Sequence, residues 1–132
     1  FRRNRPVLER LARDHRLGVV SNFYGNLDSV LSSEGLRGLF AVVVDSGVEG
    51  FLKPDPAIFR SALRTLETSP ADCLMVGDSV PRDMRGAESL DMPHALLADR
   101  SEPACCPRAY RIASLTELEA ILARQPAAVR KS

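Results

Sequence analysis

Two carboxylates five residues apart, Asp78 and Asp83, stand in a turn that follows the apolar run Leu74-Met75-Val76-Gly77. With Asp78 at the strand's carboxyl end and Asp83 where the loop comes back, both can converge on one hard cation such as Mg2+, which prefers oxygen ligands. The same acidic turn can instead do no more than cap the next helix. Upstream, Leu17-Gly18-Val19-Val20 reads as a short buried strand ending in Ser21-Asn22, which places a hydroxyl and an amide at a second strand end. Lys53, in Lys53-Pro54-Asp55-Pro56, puts an ammonium just before a helix. Each has a plainer alternative: Ser21 as a strand end, Asn22 in an Asx-turn with Gly25, Lys53 as a surface lysine.

A hydroxyl after one strand, a lysine before a helix, and Gly77-Asp78-Ser79 with a second acid at Asp83 occur here in that order. This ordered set resembles the second, third and fourth motifs of the haloacid dehalogenase-like (HAD) hydrolase superfamily, and the resemblance spans nearly the whole chain. It implies an α/β fold, a Rossmann-like parallel sheet with helices on both faces. The implied activity is Mg2+-dependent hydrolysis of phosphate monoesters through an aspartyl-phosphate, with a small phosphorylated metabolite as substrate. On this resemblance Asp78 and Asp83 hold Mg2+, and Lys53 and Ser21 are the catalytic residues. Ser21, Asn22 and Lys53 bind the phosphoryl group.

The superfamily's first motif, an Asp-x-Asp pair on the central strand, supplies the nucleophile and the acid/base. No Asp-x-Asp occurs in this sequence, which opens at Phe1. The expectation is a carboxyl-terminal part of the HAD-like core over residues 1–124, lacking its first central strand and any cap and inactive alone. A basic flexible tail is expected at 125–132. Deleting a central strand leaves two unsatisfied strand edges unless something fills the gap. Retention of Asp at position 78 favours phosphoryl transfer over the metal-independent haloacid dehalogenase branch, which commonly has a Ser-Asn type motif there. A catalytically dead HAD-like binding or regulatory module is the other alternative. A phosphate-accepting receiver domain ranks low, because its acidic pair precedes its lysine.

The chemistry follows from charge. A phosphate monoester is an anion attacked by a carboxylate, so the site must neutralise both before they meet. Mg2+ and a lysine do this. Ser79 is expected to bond within its own loop, Asp55 to cap a helix, and His15 and His94 to be structural or solvated.

The elements that must position these groups alternate. Helices are expected from Pro6 to about His15, around Leu27, Val30 and Leu31, from Asp55-Pro56 through Leu66, after Asp83 through Leu90, and from a Ser114-to-Glu117 capping box through Leu122. Strands are expected at Val19-Val20, Phe40–Val44, Cys73–Val76, His94–Ala98 and Tyr110–Ile112. Such alternation argues for a parallel sheet with ligands at the strands' carboxyl ends. Asp91 stands where relatives usually have Gly, a left-handed position that Asp tolerates better than most residues.

Composition sets limits. The 132 residues are 45% hydrophobic, enough for one modest core. Eighteen basic against 17 acidic residues give a net charge of +1, which argues for neither nucleic acid nor an anionic membrane as partner. The arginines at 2, 3, 5, 10, 13 and 16 read as the solvated face of an amphipathic helix whose apolar side is Val7, Leu8, Leu11 and Ala12. Three cysteines, with Cys105-Cys106 adjacent in a proline-flanked loop, form no secreted disulfide framework, so the reducing cytoplasm fits best. Oligomeric state and substrate identity are not legible.

Overall fold

The computed structural model describes residues 4–98, 109–123 and 130–131. Helix α1 (Arg5–Asp14) leads into strand β1 (Gly18–Ser21), then α2 (Leu27–Ser33) and β2 (Val42–Asp45). A four-residue helix α3 (Ser46–Glu49) precedes α4 (Pro56–Leu66). Strand β3 (Cys73–Gly77), a π-helical turn (Val80–Met84), α5 (Arg85–Ser89), β4 (His94–Leu97), β5 (Tyr110–Ile112), α6 (Glu117–Ala123) and β6 (Arg130–Lys131) complete the chain.

Among the described residues all pairings are parallel, and the strands form two sheets. β1 pairs with β2 in the register Gly18↔Val42 to Ser21↔Asp45. The second sheet has the order β5-β4-β3-β6. One edge of β3 pairs with β4 from Met75↔His94 to Gly77↔Leu96, and its other edge pairs with β6 at Cys73 and Leu74. Arg130–Lys131, expected in a free tail, therefore lie along β3; positions 125–129 and 132 fall outside the described residues.

Although β1 and β3 share no hydrogen-bonded register, the same helical layers clamp both sheets. Side chains alternate across a strand. Val19, Val43, Leu74 and Val76 face the apolar cluster built by α1, α2 and α6, with Leu11, Leu31 and Leu118 at its centre. Val20, Val42, Val44 and Met75 face the opposite cluster, built largely by α4, where Ile58, Phe59, Ala62, Leu63 and Leu66 are buried. Between the sheets lies a cleft of about 210 Å3, walled by Val19 and Val20 on one side and Met75 and Val76 on the other. The chain thus holds two parts of one layered α/β sandwich in alignment across a gap.

Several local expectations are met. Asp55 caps α4 by accepting from the Ala57 N–H at 2.9 Å. Glu117 reaches back to the Ala113 and Ser114 N–H groups at the start of α6. Asp91 takes the left-handed conformation, with φ 53°. Helix α5 approaches α4 at Gly86, where a Cβ would overlap the Phe59 ring. His94 is buried, its Nδ1 2.8 Å from the Met92 carbonyl oxygen, while its Nε2 has no hydrogen-bond partner among the described residues. Two of the three arginines of α1 are tied down, Arg5 to Glu9 and to the carbonyls of Glu34 and Gly35, and Arg10 to Glu119. Cys105-Cys106 lies outside the described residues. Among the described residues no helix is long and apolar enough to cross a membrane.

Candidate active site

Lys53 is placed from both ends of its residue. The Asn22 side chain, one position beyond β1, accepts the Lys53 N–H at 2.8 Å and donates to the Lys53 carbonyl at 3.4 Å. The Lys53-Pro54 peptide is cis, and Asp55 then starts α4. With its backbone anchored beside β1, the side chain reaches across to Asp83, where Nζ lies 2.6 Å from Oδ1. Both side chains are largely withdrawn from water, at 11% and 4% exposure.

Asp83 is itself held by the turn after β3. Its N–H bonds the Ser79 carbonyl at 2.9 Å, and its Oδ2 accepts from the Ser79 N–H at 3.2 Å. The carboxylate lies directly on Gly77, where a Cβ would overlap it. Gly77 is required here for this close approach. Ser79 bonds within its loop as expected, its Oγ accepting from the Arg82 N–H at 3.3 Å.

These contacts form a bridge from one sheet to the other: Ser21-Asn22 at the end of β1, then Lys53, then Asp83 over Gly77-Asp78 at the end of β3. Asp78 is exposed and makes no hydrogen bond or ion pair with a described residue. Ser21 is half-buried, and its hydroxyl likewise has no partner among the described residues. Both residues lie at strand carboxyl ends, where open α/β sheets bind ligands.

Two features differ from the sequence reading. The Asn22 amide grips the Lys53 backbone and makes no Asx-turn; the Gly25 N–H goes instead to Asp45, whose role the sequence reading missed. Asp45 ends β2 and is buried. Its Oδ1 accepts from Gly25 and Gly47 at 3.0 and 2.8 Å, and its Oδ2 from Leu27 at 2.9 Å. Neighbouring Ser46 accepts from the Phe23 N–H and donates to the Phe23 carbonyl. Together they fix the loop that carries Asn22. The available signal was the same as at Asp78, an acid ending an apolar strand and followed by Ser.

Mg2+ keeps several waters and takes one or two protein carboxylates together with substrate phosphate. Asp78, with no competing partner among the described residues, fits such an open site. Asp83 fits as a second contributor, because each of its bonded oxygens retains a lone pair. No fuller cage surrounds them: no group of three or more His, Cys, Asp or Glu side chains able to hold a metal occurs among the described residues.

Residues 4–91 match the family model for haloacid dehalogenase-like hydrolases. The chain belongs to this family. It is 42% identical over 91 residues to haloacid dehalogenase-like hydrolase domain-containing protein 3 of Bos taurus, covering 69% of this chain and 36% of that relative. Among solved structures, a HAD phosphatase from Thermococcus onnurineus superposes with a TM-score of 0.81 at 31% identity, covering 95% of this chain and 57% of that one. A 2-haloacid dehalogenase from Pseudomonas syringae pv. Tomato DC3000 gives 0.80 at 34% identity, covering 90% and 51%. The HAD-like chain therefore spans about a third of the curated relative it matches and just over half of each of these two structures.

Proposed function

We propose that this chain supplies the phosphate- and metal-binding side of a Mg2+-dependent phosphate monoester hydrolase that works through an aspartyl-phosphate. The observation that carries the reading is the Lys53 bridge, a lysine whose backbone is held by Asn22 at one strand end and whose ammonium is held by Asp83 at the other. Lys53 lowers the repulsion between an anionic phosphoryl group and an attacking carboxylate, Ser21 donates its hydroxyl to a phosphoryl oxygen, and Asp83 keeps the ammonium aimed. Asp78, with Asp83, holds Mg2+, which when bound offsets the charge of the phosphoryl oxygens.

The nucleophilic carboxylate, on this reading, rides on a strand seated in the cleft between β1 and β3. Support for that seat is structural: the same helices cover both walls, and apart from β6 the facing edges carry no strand among the described residues. Without such a strand the chain binds phosphate but does not turn over ester. The likeness to a dehalogenase brings in a metal-independent alternative. The Asp78 carboxylate, without a partner among the described residues, favours the phosphatase.

Calorimetric titration of residues 1–132 with inorganic phosphate, with and without Mg2+, tests the proposal. Binding should strengthen with Mg2+, fall at least tenfold in Lys53→Met, and lose its Mg2+ dependence in Asp78→Asn. Phosphate binding indifferent to Mg2+ and to Lys53 would overturn it.

A further inference from the structure

At the opposite end of the sheets, away from Lys53, lies a shallow depression of about 740 Å3. Arg16, just before β1, and Arg60 and Arg64, one turn apart on α4, all line it. Three guanidinium groups on one concave wall repel each other, and like charges four residues apart on a helix do so most directly. None of the three guanidinium groups makes a hydrogen bond or ion pair with a described residue, in contrast to those of Arg5, Arg10, Arg37 and Arg85. Acids are present on the same wall but do not pair with the arginines: Glu67 forms no ion pair with a described residue, and Asp72 accepts from the Ser69 hydroxyl. The unspent capacity is therefore donor capacity, of the planar kind that grips phosphate oxygens in pairs.

We propose that this depression binds a nucleoside polyphosphate, separately from the phosphate site at Lys53. Its volume falls within the range of small-molecule sites and is far larger than one phosphate requires. Several phosphates in a row match three spaced guanidinium groups better than a single anion does. The lining also includes the partly exposed Thr68 and Pro70, a hydroxyl-bearing and apolar surface on which a base and ribose can lie. Because Arg60 and Arg64 lie on α4, whose first turn follows Lys53-Pro54-Asp55, a ligand here rests on the helix that follows the lysine in sequence.

The test is titration of the 132-residue chain with ATP in the absence of Mg2+, followed by calorimetry at two salt concentrations. Saturable binding is expected, weakening with salt, and each of Arg60→Ala and Arg64→Ala should weaken it about tenfold, as loss of a charge-assisted phosphate contact does. Arg16→Ala, off the helix, gives the same readout without touching α4. Arg16→Ala, Arg60→Ala and Arg64→Ala should leave the Mg2+-dependent binding of inorganic phosphate unchanged, which separates this site from the phosphatase reading. No saturable binding below about 1 mM would overturn the proposal. So would binding lost in Lys53→Met but retained in the arginine variants.

Discussion

Removing either member of the Lys53–Asp83 pair leaves a charge in a site that water scarcely reaches. The atoms are 2.6 Å apart and the side chains are only 11% and 4% exposed. Breaking a buried pair from one side costs about 3–5 kcal/mol, whereas replacing both partners with uncharged groups is close to neutral. Lys53→Met strands Asp83, which among the described residues keeps only the Ser79 N–H, and Asp83→Ala strands Lys53; each should cost about 3 kcal/mol. The double variant, with no charge left behind, should cost less than either single, under about 3 kcal/mol where additivity gives about 6, a coupling of at least about 3 kcal/mol. Urea unfolding followed by far-ultraviolet circular dichroism measures this directly. With a denaturant slope of about 2 kcal/mol per molar, each single variant moves the midpoint by about 1.5 M. Singles that add to within about 0.5 kcal/mol would refute the claim that Asp83 holds Lys53 by charge.

Asp45→Ala strips the acceptor from three backbone N–H groups and should destabilise by about 3 kcal/mol, with faster amide exchange at Gly25 and Leu27 seen by NMR. Asp78→Asn changes an exposed side chain with no partner among the described residues, so stability should move by less than about 0.5 kcal/mol while calorimetric Mg2+ binding is lost. Asp91→Gly relieves a left-handed residue and should raise stability by about 1 kcal/mol, read as a higher thermal midpoint. Gly86→Ala drives a methyl group into the Phe59 ring and should cost about 1–3 kcal/mol by the same melt.

The local order of the chain was legible because short-range patterns encode it. Strand ends at Ser21 and Gly77, the Asp55 cap, the Glu117 capping interaction and the left-handed Asp91 all depend on residues within a few positions of each other. Ser46–Glu49 escaped notice, since a single helical turn has too few residues to show a periodicity. Asn22 is placed at the right strand end by the sequence, as a phosphoryl-binding group or in an Asx-turn with Gly25, but the Lys53 backbone that its side chain grips lies 31 residues away. Asp45 was passed over because the three N–H groups it serves gather around it only once β1 and β2 are paired.

From the order of residues alone came the chemistry on offer: a hydroxyl, an ammonium and two carboxylates, each bound to an element end by hydrophobic alternation and turn composition. Tertiary packing alone decided that Lys53 spans from Asn22 to Asp83, that Asp78 remains unengaged among the described residues, and that two sheets stay aligned across a cleft. The reason is physical. Alternation and capping are set by neighbours along the chain, whereas a buried ion pair and a shared helical layer exist only when segments distant in sequence exclude water between them.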